Sequence, residues 1–172
     1  TTNDQTAYRG RLVAKFLQAV GRSDVEVGLG QKIRAGNEFQ APWAEDYGLE
    51  DYPGTVREDG IQTFIDLVDA SPVPVTLIAV GPLANIPGIL RRRPDLAAKI
   101  NFIGVYGSID KGFGGRGKAI AEPNVRSNVS AFRAALEADW LSFVITPLDT
   151  SGLVVLEDEE YRKVRESNDL MS

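Results

Sequence analysis

Short apolar runs of strand length alternate with segments of helical period along this chain, and this alternation limits the possible folds more than any other feature. The clearest run, VPVTLIAV at residues 73–80, is rich in β-branched residues and predicts a strand buried on both faces. DVEVGLG, INFIGVYGS and FVITPL predict further strands. Strands that alternate with helices favour a mainly parallel sheet with helices on both faces, so we predict an α/β fold.

Several segments show the apolar period of amphipathic helices. The apolar residues that share a face are Leu12, Val13, Phe16, Leu17 and Val20 in one helix, Ile61, Phe64, Ile65 and Val68 in another, and Val129, Phe132, Ala135 and Leu136 in a third. A helix from about residue 83 is interrupted by Pro87 and Gly88, and LEDEEYRKVRES predicts a solvated helix. Ser127 or Asn128 can cap the helix that starts near residue 129.

Composition excludes several classes of function. The 172 residues suit one domain, and the net charge of −5 argues against binding to nucleic acid. No apolar run approaches the roughly 18 residues of a membrane span, so we expect no membrane partner. The chain contains neither histidine nor cysteine, which excludes Ser-His-Asp, Cys-His and zinc sites and leaves carboxylates, amides and oxygen-bound hard cations. The compartment stays open between cytoplasm and exterior.

In parallel sheets, ligands bind beyond the carboxyl ends of the strands. The loops after Val80, Tyr106 and Thr146 should therefore share one edge. The stretch AEPNVRSN, which holds Glu122 and Asn124, lies on the connection after Tyr106. A carboxylate and an amide beside a proline fit either simple helix capping or a fork that contacts a polyol.

Two glycine- or aromatic-rich stretches leave alternatives open. GFGGRG, residues 112–117, matches no P-loop because no G-K-[ST] follows, so a flexible lid is favoured over a phosphate cradle. Residues 30–57 show no clear period, which is long for a loop in a compact domain. The aromatics of APWAEDYGLEDYPG within it line a base pocket or cover a sheet edge.

Four stretches together resemble the inosine–uridine nucleoside hydrolase family. They are VTLIAVGPLANI, NFIGVYGS followed by AEPNVRSNVSAFRAAL, GRLVAKFLQAVGRSDVEVGLG, and FVITPLDTSGLVVL. The resemblance implies a Rossmann-like α/β fold and hydrolysis of the N-glycosidic bond of a ribonucleoside. It also implies a bound calcium that holds the attacking water and the ribose 2′- and 3′-hydroxyls, with an aspartate as base.

The resemblance carries site roles to four positions of this chain. Glu122 and Asn124 match residues that contact ribose, and Asn3 matches a third substrate-binding residue. Val80 matches the residue whose backbone carbonyl ligates calcium. The resemblance carries no catalytic residue to this chain, because nothing here matches the family's aspartate-rich D-x-D-x-x-x-D-D segment or its late aspartate.

These departures lead to further expectations. Asn128 stands where the family has an acidic helix residue. We expect residues 1–172 to form a single nucleoside hydrolase-like domain that is incomplete at both ends and inactive alone. The expected ligand is a nucleoside or ribose, and self-association or a complementing chain would cover exposed apolar surface. The alternative is a non-catalytic homologue that binds a sugar or a protein.

Overall fold

The computed structural model describes residues 6–31 and 40–167. They divide into two compact units. The first holds the chain up to Val73 together with Ala84–Ala97, and the second holds Pro74–Leu83 together with the chain from Ala98 onward. The single domain expected from the sequence stays a prediction. No helix in the described parts is long and apolar enough to cross a membrane.

Helices and strands follow one another in the predicted α/β manner through the described residues. In chain order they are α1 Thr6–Ala19, β1 Val27–Gly28, β2 Val56–Arg57, α2 Gly60–Ala70, β3 Val75–Ala79, α3 Ile86–Arg92, β4 Ile100–Gly104, α4 Pro123–Ser127, α5 Val129–Glu137, β5 Ser142–Ile145, α6 Leu148–Ser151 and α7 Asp158–Arg165. Short 3-10 helices lie at Ala41–Ala44, Leu49–Asp51, Pro94–Lys99 and Phe113–Gly115.

The first unit is built on a short parallel pair, in which Val27 of β1 is aligned with Val56 of β2. Ala14, Val27 and Tyr52 form its buried cluster, and the Tyr52 hydroxyl donates to the Val25 carbonyl at 2.6 Å. Tyr52 belongs to the aromatic segment that the sequence left open between a base pocket and a covering role. Its burial in this core favours the covering role for that residue.

Helix α2 begins where the sequence predicts. The Asp59 side chain accepts a hydrogen bond from the Gln62 N–H at 3.0 Å, which caps its first turn. Gly60 lies so close to β1 that a Cβ there would be 2.7 Å from the Leu29 carbonyl oxygen, so this position requires glycine. The predicted apolar face is confirmed, because Ile61, Ile65 and Val68 are buried.

The second unit is a three-stranded parallel sheet in the order β3–β4–β5. Leu77, Phe102 and Phe143 stand side by side in its register. Phe102 is fully buried, with its ring centroid 4.9 Å from that of Phe143 and 5.0 Å from that of Trp140. The Trp140 indole N–H donates to the Ala135 carbonyl at 2.6 Å, which ties the end of α5 to this face. Parallel sheets flanked by helices confirm the predicted fold class.

The other face of this sheet is exposed, which corrects the prediction that residues 73–80 are buried on both faces. Ile78, Ile103 and Val144 are aligned across the three strands, and their side chains are 68%, 40% and 52% exposed. No described element covers this apolar row. The run is mainly apolar, yet only one of its faces packs against the rest of the protein.

Two predicted helix faces are confirmed only in part, for a common reason. Val13 and Phe16 of α1 are exposed, as is Val20 just after it, while Leu17 packs against the buried cluster. The closest packing of this helix is through Gly10 and Ala14. A Cβ on Gly10 would stand 2.6 Å from a Leu29 methyl carbon, so the close packing there depends on a small residue.

In α5, Val129 and Leu136 are exposed, while Ala131 and Ala135 are fully buried. Close approach of the backbones therefore favours small residues in both helices. Ala135 belongs to the predicted apolar face, whereas Gly10, Ala14 and Ala131 do not.

The remaining helices match the sequence in part. Helix α3 begins at Ile86, so Pro87 lies in its first turn, where proline is tolerated, and does not interrupt the helix. The basic end of α3 pairs with acidic side chains, as Arg92 does with Asp59 at 2.9 Å. Helix α7 has no buried residue, which confirms the predicted solvated helix.

Candidate functional site

The carboxyl ends of β3, β4 and β5 meet at one edge, as the sequence predicts, because all three strands are parallel. Backbone hydrogen bonds continue the ladder past the strands. The Val105 N–H donates to the Ala79 carbonyl at 3.2 Å, and the Tyr106 N–H donates to the Thr146 carbonyl at 3.2 Å. The loops after Val80, Tyr106 and Thr146 therefore lie along the same edge.

Tyr106 is the most buried polar side chain at this edge, and the sequence reasoning gave it no role. Its side chain is 2% exposed, and its hydroxyl donates to the Gly81 carbonyl at 2.6 Å. Burial, followed by the negative charge of Glu122, raises the pKa of the phenol well above its usual value. Tyr106 thus stays a protonated donor that holds the Gly81 turn. A tyrosine directly after an apolar strand was the available signal.

Glu122 is buried, with 7% of its surface exposed, and it caps α4. Its Oε1 accepts from the Asn124 N–H and its Oε2 from the Val125 N–H, both at 2.9 Å. The interpretation of Glu122 as a helix cap is therefore confirmed. The same carboxylate lies close enough to Tyr106 to raise the pKa of its phenol, so Glu122 also belongs to the edge that holds the Gly81 turn.

Asn124 offers hydrogen-bonding groups that the described chain leaves unused. Its backbone N–H is bonded to Glu122, and its carbonyl accepts from the Ser127 hydroxyl at 2.8 Å. Its half-buried side-chain amide has no hydrogen-bond partner among residues 6–31 and 40–167. This amide can therefore donate and accept toward a ligand.

Of the other two predicted site positions, the structure describes Val80 but not Asn3. Val80 follows β3 directly, and its carbonyl accepts no hydrogen bond from the described residues. Its side chain is exposed, as are several apolar residues of this sheet face. Asn3 lies outside the described residues, so its predicted proximity to Glu122 and Asn124 stays a prediction.

The described residues do not supply the ligands of a calcium site. Calcium takes six to eight oxygen ligands, usually including several carboxylates. No group of three or more acidic side chains able to hold a metal occurs within the described ranges. Val80 is the one residue to which the resemblance gave a calcium ligand, and its carbonyl accepts no hydrogen bond from the described residues. These residues alone do not fit the ion.

The sequence reasoning also assigned no role to a second carboxylate at this edge, that of Asp149. Asp149 of α6 accepts the backbone N–H groups of Ile109, Asp110 and Lys111 in the loop after β4. These bonds, that of Ile109 foremost, lower the pKa of the Asp149 carboxyl below its usual value. Its position directly after a predicted strand was the only signal in the sequence.

Asn128 separates α4 from α5. Its side-chain oxygen accepts from the Ala131 N–H at 3.1 Å, which confirms it as the predicted cap of the second helix. The sequence does not predict the five-residue helix α4. Two capped helices in succession, headed by Glu122 and Asn128, therefore leave the edge of the sheet.

Comparison with known proteins places this geometry in a family. The family model of the inosine-uridine preferring nucleoside hydrolases matches residues 2–171. The non-specific ribonucleoside hydrolase RihC of Shigella boydii is 31% identical over 115 residues, which cover 63% of this chain and 36% of that protein. RihC of Escherichia coli O1:K1 shows the same identity and coverage. The chain thus spans little more than a third of the length of these curated relatives.

Solved structures show the same fold. An inosine-uridine preferring nucleoside hydrolase from Bacillus anthracis superimposes with a TM-score of 0.67 and 18% identity, covering 95% of this chain and 59% of that one. An inosine-guanosine nucleoside hydrolase superimposes with a TM-score of 0.60 and 16% identity, covering 83% and 48%. With a family model matched over almost its whole length, the chain belongs to the inosine-uridine preferring nucleoside hydrolase family.

Proposed function

We propose that this chain takes part in hydrolysis of the N-glycosidic bond of ribonucleosides and that the carboxyl edge of β3–β5 binds the ribose. Family membership supports the reaction class. The observation that carries the ribose site is the pairing of a buried carboxylate, Glu122, with the amide of Asn124 two residues later, which has no hydrogen-bond partner among the described residues. An amide both donates and accepts, which suits a diol whose hydroxyls do the same.

Capping and ribose binding are compatible roles for Glu122. Each carboxylate oxygen accepts one backbone N–H, and each keeps capacity for a second hydrogen bond. The two N–H groups of α4 hold the carboxylate in one orientation. A group that is already oriented loses less entropy when a ribose hydroxyl binds, so the cap would preorganise the site.

Calcium belongs to this proposal only in a protein that supplies further oxygen ligands. When bound, it would hold the attacking water and the ribose hydroxyls. The described residues offer it the Val80 carbonyl and no acidic cluster. We therefore propose that the 172-residue chain on its own can bind ribose but hydrolyses nucleosides no faster than background.

A non-catalytic sugar- or protein-binding homologue is the second candidate. The lack of an acidic cluster within the described ranges favours it. The two candidates differ in turnover. Ribose release by the naturally expressed protein, dependent on a divalent cation, supports the hydrolase, and ribose binding without release at any cation concentration supports the binder.

The exposed apolar row of Ile78, Ile103 and Val144 supports a further proposal about partners. We propose that self-association or a complementing chain covers this face, because contiguous apolar surface in water favours burial against another chain. Sedimentation velocity of the wild type and of Ile78→Ser checks self-association, and a concentration-independent monomer in both proteins would contradict it and leave a complementing chain as the partner.

Asn124→Ala tests the ribose site. Loss of the amide should weaken D-ribose binding about tenfold, as expected for hydrogen bonds in a partly buried site. Isothermal titration calorimetry with D-ribose, on the protein as its natural source expresses it, measures the affinity. Asn101→Ala is the matched control, since the Asn101 amide accepts from Ser142 within the sheet, away from its carboxyl edge. Unchanged ribose affinity in Asn124→Ala would overturn the proposal.

A further inference from the structure

The connection from β4 to Glu122 is a glycine-rich loop, residues 107–121, and its first part is held by one carboxylate. The Asp149 Oδ2 accepts from the Ile109 N–H at 2.8 Å, and its Oδ1 accepts from the N–H groups of Asp110 and Lys111 at 2.7 and 3.0 Å. Three successive backbone donors therefore converge on Asp149. The Leu148 N–H also donates to the Gly107 carbonyl at 2.9 Å, which fixes the loop's first residue.

Ser108 joins the beginning of this loop to its end. Its hydroxyl donates to the Lys111 carbonyl at 2.7 Å and accepts from the Ile120 N–H at 2.9 Å. Residues 108 and 120 are thus held together, and Glu122 follows only two residues later. The loop between them can turn back because Gly114, Gly115 and Gly117 adopt positive φ angles.

A set of hydrogen bonds consequently leads from Asp149 to Ile120, which lies two residues before Glu122 in the chain. It runs from the carboxylate through the backbone of residues 109–111 to the Ser108 hydroxyl, and from there to Ile120. Solvent can satisfy exposed loop N–H groups equally well, so a carboxylate that collects three of them serves to fix the loop's position.

We propose that Asp149 is a positioning residue that acts through Ser108 to hold Glu122 and Asn124 in their ribose-binding arrangement. This inference rests on the proposed function and deepens it. Asp149 itself does not touch the ligand. Its carboxylate fixes residues 109–111 of the loop. The Ser108 hydroxyl bonds both to Lys111 and to Ile120, so it fixes the end of the loop relative to its beginning. Glu122 follows two residues later and begins α4.

Limited trypsin digestion measures the anchor independently of ligand binding. The loop offers three cleavage points, after Lys111, Arg116 and Lys118. In Asp149→Asn the loop should be cut about tenfold faster than in the wild type, the order expected when charge-assisted hydrogen bonds are lost. Asp139→Asn is the matched control, since Asp139 is exposed and has no described partner. An unchanged cleavage rate in Asp149→Asn would overturn the inference.

Affinity for D-ribose then separates positioning from mere support of the fold. Asp149→Asn and Ser108→Ala should each weaken binding about fivefold or more while the melting temperature stays close to that of Asp139→Asn. Ser108→Thr keeps the hydroxyl and should restore the affinity. If Asp149→Asn does not fold, the Ser108 pair alone decides the question.

The outcomes distinguish this inference from the proposed function. Should Asn124→Ala weaken ribose binding while Asp149→Asn and Ser108→Ala do not, the positioning role is refuted and the ribose site stands. Should Asn124→Ala bind ribose as the wild type does, the proposed function fails and this inference fails with it. Faster loop cleavage with unchanged ribose affinity would leave Asp149 as a purely structural anchor.

Discussion

Replacing Tyr106 by phenylalanine removes one oxygen atom and one hydrogen bond from the edge of the sheet. The hydroxyl donates to the Gly81 carbonyl at 2.6 Å, and the ring packs against Phe132 with centroids 5.8 Å apart. Phenylalanine keeps that ring contact and its buried area. The change therefore isolates the bond that holds the turn after Val80.

The expected loss follows from the burial of the two partners. A neutral hydrogen bond contributes about 1 kcal/mol, and a buried carbonyl left without a donor costs about 1–3 kcal/mol. Gly81 is half-buried, so water can reach its carbonyl in part. We expect Tyr106→Phe to lower the free energy of unfolding by about 1–1.5 kcal/mol, a melting-temperature decrease of about 2–6 °C for a chain of this size.

Urea unfolding followed by tryptophan fluorescence measures this loss. Tyr8→Phe is the matched control, because Tyr8 is equally buried but its hydroxyl bond to Gln40 is long, at 3.4 Å. That control should lose distinctly less stability. D-ribose affinity of Tyr106→Phe should also fall a few-fold, since the Gly81 turn lies on the edge of the sheet that is proposed to bind ribose, and a loosened turn orients that edge less well.

Equal stability of Tyr106→Phe and the wild type would refute the reasoning, as would an equal loss in the Tyr8 control. Either result would mean that water replaces the hydroxyl at no cost. A stability loss without any change in ribose affinity would support the stabilising role of the hydrogen bond but would show that the Gly81 turn does not contribute to the proposed ribose site.

Three further predictions concern pH, capping and turnover. Because burial raises the pKa of Tyr106 in the folded state, its contribution to stability is complete below pH about 10 and is lost as pH rises further. The urea midpoint should therefore fall more steeply between pH 9 and 11.5 in the wild type than in Tyr106→Phe. Parallel curves of midpoint against pH would contradict this. Asn128→Ala removes the cap of α5 and should cost about 1 kcal/mol in urea unfolding while ribose affinity stays unchanged; weakened ribose binding would bring Asn128 into the site. The purified 172-residue chain should release ribose from inosine no faster than buffer does. Clear release that a calcium chelator abolishes would show that this chain itself supplies a calcium site.

Local sequence was sufficient for most helices and strands and for their order, although it did not predict the short helices α4 and α6. The apolar run of β3, the apolar face of α2 and the Asn128 cap of α5 each depend on neighbours a few residues away, so pattern and capping chemistry identify them. Strand–helix alternation likewise determined the parallel sheet and its shared carboxyl edge, because parallel strands require crossovers.

Tertiary structure alone decided which faces are buried and which polar groups meet. Helices α1 and α5 make close contacts through Gly10, Ala14 and Ala131, because close backbone approach favours small residues, and the predicted apolar faces did not include these three. The bonds from Tyr106 to Gly81 and from Asp149 to the loop after β4 join residues about 25 and 40 positions apart. Such pairs depend on strand register and loop path, which are properties of the folded chain, so the sequence determined the edge on which a site would form and the fold determined the groups that build it.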